Sequence, residues 1–485
     1  MKLQFYQFVF VLCYTLTKKK MKIRKLKTAE EIKKFLDASK TEYVKVALTD
    51  IDGILRGKYM HVDKFIKSTK KGFGFCDVIF GWDSNDELYE LNNVSQNELF
   101  TGWHTGFPDV KTTIVPNSGR INPFEEDVPL FLAELAEGQV CPRGVLNNIL
   151  KTMEDEGIKS KSAFEYEFFL FNETPHSLRE KNFSNLSNFT PGMYGYSVLR
   201  NSVHSDIYNK LLRFCSDMDM HIEGLHTETG PGVIEAAIMV DDSINSADKA
   251  TLFKTFSKVL FQRNDLMANF MAKWSDQYPG QSGHIHISLQ DLEGKSLFNS
   301  KKDELPKTLN YFIGGLQTYM REFSVMIAPT VNSYKRLCPG AWAPINMTWG
   351  VENRTTAFRA IKGDSLSQRI ENRLPGADSN PYLALAATLG AGFLGIKEKI
   401  NPTDETIGGA YDLKLERKYQ VPDNLGEAAI LFKNSQSAKD LFGENFVNHF
   451  ANTRIWEYKE FQKNRRFFDS SSISLWELER YFEII

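Results

Sequence analysis

Four groups of polar residues have types and spacings suited to chemistry on anions and hard cations. The first is Ala163-Phe164-Glu165-Tyr166-Glu167-Phe168-Phe169-Leu170. On a strand, alternate residues share a side, so Glu165 and Glu167 would project together. The flanking aromatics predict that the strand is otherwise buried. Two adjacent buried carboxylates repel, and one takes up a proton unless a cation compensates. The bland alternative is an edge strand with two solvated glutamates. The second group is Thr227-Glu228-Thr229-Gly230-Pro231-Gly232-Val233-Ile234-Glu235. Its Gly-Pro-Gly turn can bring Glu228 and Glu235 to one site, or can simply close a hairpin. In the third, Gly280-Gln281-Ser282-Gly283-His284-Ile285-His286-Ile287-Ser288, two imidazoles share a strand face after a glycine loop. A lone histidine is usually structural, whereas this pair suits a ligand or phosphate site. The fourth comprises Arg336, Arg354, Arg359, Arg369 and Arg373, with Glu371 among them. Guanidinium groups match carboxylate and phosphate, and the uneven spacing argues against a basic surface helix.

Together these groups offer oxygen and imidazole donors with little sulfur, which points to Mg²⁺ or Mn²⁺ rather than zinc. With arginines for anions, they suit phosphoryl transfer to a carboxylate. That reading requires the four groups to meet in space. The chain has no Walker-type phosphate loop, no GxGxxG and no internal repeat.

The elements that must position these residues follow from periodicity and turn signals. Thr28 to Ser39 reads as an amphipathic helix, with Ile32, Phe35 and Leu36 on one face. Residues 43–48 and 54–59 read as a hairpin closed by Asp52-Gly53. The stretch 72–120 is rich in Gly, Asp, Asn and Pro and reads as loop, and 131–135 as a strand. A boundary is expected near Cys141-Pro142, with a helix from Val145 to Glu156. Beyond it, strands are expected at 162–171, 221–226, 233–240 and 284–289. Helices are expected at 203–218, 308–327 and 246–272, the last capped by Ser246.

A length of 485 residues suits two or three domains. Hydrophobic residues at 42% and charged residues at 25% are an ordinary globular mixture. A net charge of -2, with no basic stripe, argues against a nucleic-acid partner. The five cysteines form no CxxC pair, which favours reduced thiols and a cytoplasmic location. Leu3 to Leu16 is mostly apolar but short of the ~20 residues that span a bilayer, so no membrane association is expected. Its lysines, Lys18 to Lys20, follow the apolar run, unlike those of a secretory signal. Residues 1–20 therefore read as a dispensable extension, or as upstream of a true start at Met21.

The same residues resemble the glutamine synthetase family of the bacterial type, from about residue 28 to the C-terminus. The resemblance rests on "FEYEFFLF", on "SYKRLCPGAWAP" (333–344) and on "RIENRLPGADSNPYLALAA" (369–387). It implies an α+β fold: a small β-grasp-like N-terminal domain (21–140) and a large catalytic α/β domain (141–485) with a curved antiparallel sheet. It also implies ATP, glutamate and an amine as substrates, two or more Mg²⁺ or Mn²⁺ ions, and a double-ring homo-oligomer, a dodecamer. By this resemblance Glu167, Glu228 and Glu235 would hold one metal, and Glu165, His284 and Glu371 a second beside the ATP phosphates. Arg336, Arg373 and Gly280 would bind substrate. Arg354 and Arg359 would contact the phosphates, with Arg354 on the transferring γ-phosphoryl group. Arg369, Glu223, His286 and Ser288 would lie on the nucleotide side. Asp77, shortly before Trp82, resembles the aspartate by which a neighbouring subunit deprotonates the amine. The implied reaction passes through γ-glutamyl phosphate.

Departures from the family pattern narrow the expectation. Trp342 stands where "PGxEAP" of true glutamine synthetases carries a glutamate that helps bind ammonium. Tryptophan cannot bind ammonium by charge, but can pack on a longer amine through apolar or cation–π contact. This, and "NMTWGVENRTTAFR" (346–359), resemble the γ-glutamylpolyamine and γ-glutamylamide synthetase branch. Val233 replaces a frequent glutamine, and Leu366 stands where a lysine precedes Arg369 by three residues. Tyr411 in "AYDL" resembles a tyrosine adenylylated in some bacterial members, but the signal is short and a plain loop tyrosine is the favoured reading. The expected activity is ligation of the glutamate γ-carboxyl to an organic amine or polyamine. The alternatives are a glutamine-forming enzyme and a non-catalytic, lengsin-like protein. Retention of all six metal-ligand positions argues against the last.

Overall fold

The computed structural model describes residues 23–89, 98–137, 140–299, 305–340, 342–464 and 472–485. The apolar N-terminal run lies outside them. Among the described residues the chain forms two sheets wrapped by helices, an α+β fold. No described helix is long and apolar enough to cross a membrane.

The first sheet contains β1 (Tyr43–Thr49), β2 (Leu55–His61), β3 (Phe73–Cys76), β4 (Asp109–Ile114), β5 (Arg120–Asn122) and β6 (Val128–Leu135). Its order is β2-β1-β6-β4-β3, with β5 on β6. The β1–β2 hairpin forms as expected, turning through Gly53 at φ +87°. The expectation of loop over 72–120 is corrected, because β3 and β4 pair there in antiparallel register. Phe73, Ile114 and the inner face of β6 supply the apolar surface that fixes these short strands.

The second sheet contains β7 (Lys159–Phe171), β8 (Ile222–Thr227), β9 (Val233–Ile238), β10 (Asp241–Asp242), β11 (Met267–Asn269), β12 (Gly283–Gln290), β13 (Trp349–Val351), β14 (Phe358–Ile361) and β15 (Arg369–Asn372). Its order is β13-β14-β15-β12-β7-β9-β8, with β10 and β11 also on β7. β7 alternates as its sequence demands. Phe164, Tyr166 and Phe168 are buried; Phe164 stacks on Tyr166, and the Tyr166 and Phe168 rings pack against Phe253, Phe261 and Phe270. Glu165 and Glu167 face the other way. The helix expected over 246–272 is Ser243–Gln262, with Asp242 rather than Ser246 at its N-cap position. It ends at Arg263, and Asp265 turns at φ 56°. The apolar residues that follow become β11 and pair with Leu170 at the end of β7.

Buried ion pairs tie the C-terminal helices to the N-terminal loops. Arg454, on helix Glu444–Asn464, reaches Asp52 at 2.6 Å and also donates to Pro329 O and Tyr89 Oη. Arg480 bridges Glu457 and Asp83. Removing one member of such a pair strands a buried charge, at a cost of about 3–5 kcal/mol. Arg454→Met is expected to lower unfolding stability on that scale. A chemical denaturation midpoint equal to the wild-type value would contradict it.

Candidate active site

Cross-strand register places the polar groups in rows on one face of the second sheet. Glu165 sits opposite His284, Glu167 opposite Glu235, Glu235 opposite His226, and Glu371 opposite both His286 and Arg359. Residues paired across a ladder point to the same side. The four groups therefore converge on one cavity of about 870 Å³. Its wall includes every expected metal-binding position: Glu165, Glu167, Glu228, Glu235, His284 and Glu371. It also includes Gly280, Trp342, Arg373, Glu223, His286 and Ser288, as well as Arg354, Arg359 and Arg369.

Two expected site residues lie elsewhere. Arg336 is 2% exposed behind the wall. It donates to Leu374 O, Arg373 O and Ser282 Oγ, and so braces the ends of β12 and β15. Gly280 packs against it; a Cβ there would stand 2.6 Å from Arg336 Cγ and 2.5 Å from Ala272 O. Asp77 is buried in the N-terminal part, away from this chain's own cavity, and burial raises its carboxyl above the usual range.

The site holds two clusters. Glu165, His286 and Glu371 each offer a ligand atom, all within 4.8 Å of one another, and so do His226, Glu228 and Glu235. In the first cluster, Arg369 Nε donates to His286 Nδ1 at 3.2 Å. With Nδ1 accepting there, Nε2 is the ring nitrogen turned to Glu165 Oε2, at 3.2 Å. His284 Nδ1 lies 3.5 Å from Glu165 and 3.3 Å from Glu371, so both histidines address the same carboxylates. Burial works to raise the Glu371 carboxyl, but Arg373 at 2.6 Å and the two imidazoles pull it down to about 2. Arg359 adds a contact at 3.0 Å.

In the second cluster, His226 Nε2 lies 3.1 Å from Glu235 and Nδ1 lies 3.7 Å from Glu228. Tyr196 stacks on the His226 ring with centroids 4.3 Å apart. Glu167 Oε2 accepts from Ser282 N at 2.8 Å. Burial, and then the charges of Glu165, Glu167 and Glu228, push the Glu235 carboxyl up to about 11. The neighbouring Glu165 stays well below the usual range; burial opposes this, but hydrogen bonds from His284 and His286 outweigh it.

This electrostatic frustration is the test of fit for divalent cations. Six carboxylates, those of Glu165, Glu167, Glu223, Glu228, Glu235 and Glu371, line one cavity, and the protein alone cannot keep all of them ionised. The donors are oxygen and imidazole, without thiolate. Buried His284 Nε2, Arg359 Nε and Arg373 Nε have no hydrogen-bond partner. The residues present fit hard cations beside an anionic substrate.

His226 escaped the sequence reading. Its signal was present: His226 and Glu228 are two residues apart, the spacing already noted for Glu165 with Glu167 and His284 with His286.

Comparison with known proteins agrees with this geometry. Residues 139–481 match the glutamine synthetase catalytic domain. The chain is 43% identical over 472 residues to type-1 glutamine synthetase 2 of Dictyostelium discoideum, covering 95% of this chain and 88% of that protein. It is 33% identical to the glutamate–isopropylamine ligase of a Pseudomonas species, over 94% of this chain and 98% of that one. It is 30% identical to the γ-glutamylethanolamide synthetase of Streptomyces coelicolor, over 94% and 95%. Among solved structures, apo GmaS superimposes with a TM-score of 0.75 over 92% of this chain and 98% of its own, at 24% identity, a likeness of fold. With its sheet, its carboxylate–imidazole clusters and these relatives, the chain belongs to the glutamine synthetase family of ligases.

Proposed function

We propose that the protein joins the γ-carboxyl of glutamate to an organic amine, with cleavage of ATP to ADP and phosphate. The observation that carries this reading is Trp342. It lines the cavity, is 61% exposed, and holds φ 58°, a conformation unfavourable for a bulky residue. An aromatic face held there suits an alkyl chain by apolar contact and an organic ammonium by cation–π attraction. The isopropylamine and ethanolamide relatives support the class of substrate. A second reading, synthesis of glutamine from ammonia, is supported by the 43% identical relative named a glutamine synthetase.

In this mechanism the glutamate γ-carboxylate displaces ADP from the γ-phosphoryl group, and the amine then displaces phosphate from γ-glutamyl phosphate. Arg373 holds the substrate carboxylate, and Arg354 and Arg359 meet the phosphates. Arg354 stabilises charge on the transferring group. Glu165, His284 and Glu371 would hold one Mg²⁺ or Mn²⁺ ion, and Glu167, Glu228 and Glu235 another, with His226 and His286 at hand. Bound there, the ions would neutralise charge between nucleotide and carboxylate. Asp77 takes the amine proton when a neighbouring subunit of a double-ring dodecamer brings it to the cavity. The unit over 21–140 thus serves assembly and amine activation, and 141–485 the chemistry, in the cytoplasm.

Phosphate release with Mg²⁺, ATP and glutamate tests this, with ammonia, ethanolamine, isopropylamine, putrescine and spermidine offered in parallel. Turnover with an organic amine well above that with ammonia is expected. Faster turnover with ammonia would establish the second reading, and silence with every amine would remove both.

A further inference from the structure

Beyond the residues already assigned, the cavity contains a lysine that neither the family pattern nor the sequence motifs indicated. Lys161 lies on the face of β7 that carries Glu165 and Glu167, four residues before Glu165, and lines the cavity. At the rise of a strand it stands ~13 Å from Glu165 along β7. Its cross-strand neighbours are Ser288 of β12 and Asp242 of β10. Val240 and Leu366 line the same cavity, 53% and 88% exposed. Leu366 is the position at which the family pattern has lysine, and Asp364 fixes its loop by accepting from Leu366 N at 3.0 Å.

Lys161 of β7 and Ser288 of β12 therefore offer an ammonium and a hydroxyl, set apart from the carboxylate clusters, in a cavity that also presents uncovered apolar side chains. The apolar side chains suit the base of a nucleoside, and the ammonium and hydroxyl suit its polar acceptors. Lys161 is ion-paired with Asp242 at 3.0 Å, but the two side chains are 37% and 68% exposed. A pair so open to water holds its ammonium weakly and yields readily to a ligand.

We infer that Lys161 is a nucleotide-binding residue. Its ammonium donates to the nucleoside of ATP from β7 and supplies the positive charge that Leu366 lacks on the loop before Arg369. The inference rests on the ATP-dependent ligase reading and adds a contact specific to this chain. Because the contact lies far from the transferring phosphoryl group, it acts equally on ground and transition states. It lowers KM without raising kcat.

The test is ADP binding to the full-length protein by titration calorimetry, with Mg²⁺ and without glutamate or amine. Lys161→Met is expected to weaken ADP about tenfold, ~1.4 kcal/mol. The KM for ATP should rise in step, while kcat and the KM for glutamate stay within about twofold. Lys161→Arg should keep wild-type affinity, and adding Leu366→Lys to Lys161→Met should restore it. Wild-type affinity in Lys161→Met, or a loss of kcat at unchanged KM, overturns the assignment alone. Absence of ADP binding to the wild-type protein would overturn it together with the ligase reading, so the two failures are distinguishable.

Discussion

Glu167→Ala is expected to abolish phosphoryl transfer, with kcat falling by about 10³-fold or more, the scale on which charged groups at such sites act. The same change should leave the fold intact. Glu167 projects into the cavity, and its removal opens no gap in the aromatic layer formed by Phe164, Tyr166 and Phe168. It also removes one of the charges that raise Glu235. A crowd of like charges is less strained with one member absent, so thermal stability without added metal should hold or rise. Phosphate release and a melting curve on the same preparation read both effects. Full activity in Glu167→Ala would end the assignment of this cavity as the site of phosphoryl transfer.

Trp342→Glu is expected to redirect the enzyme towards ammonia. The substitution removes the exposed aromatic face from the cavity wall and places there the carboxylate that the family pattern carries. One pocket contact of this kind is worth roughly 1–3 kcal/mol, about 10–200-fold in discrimination. The ratio of kcat/KM for the preferred organic amine to that for ammonia should drop by a factor in that range. The KM for ATP should change little. An unchanged ratio would mean that Trp342 does not read the amine.

Where the sequence was legible, chemistry and periodicity coincided. Glu165 with Glu167 and His284 with His286 declared both a strand and a face, and the structure places all four on the cavity wall. The β1–β2 hairpin was legible from Asp52-Gly53 and its flanking strands. The helix expected over 246–272 failed in its second half because apolar composition does not separate a helix from a buried strand. Met267-Ala268-Asn269 was settled by a vacant edge on β7, a tertiary fact. The strands β3 and β4 were hidden for the converse reason: each is short, and partners far apart in sequence stabilise it. His226 was missed although its spacing matched the motifs already noted. The brace made by Arg336 was beyond reach, since residue type announces an anion site but not which carbonyl groups claim the guanidinium.

The division between ladder and loop has an evolutionary consequence. The acids and imidazoles are locked to one another by strand register, where a shift of one residue in β12 would present Ile285 and Ile287 to the cavity in place of the histidines. Mutation can therefore hardly adjust that apparatus in small steps. Trp342 belongs to no strand and is bound by no such register. On the proposed assignment of Trp342 to the amine, descendants of an ancestral enzyme would exchange one amine for another through single substitutions in that loop, inheriting the phosphoryl chemistry unaltered while diversifying what they make with it.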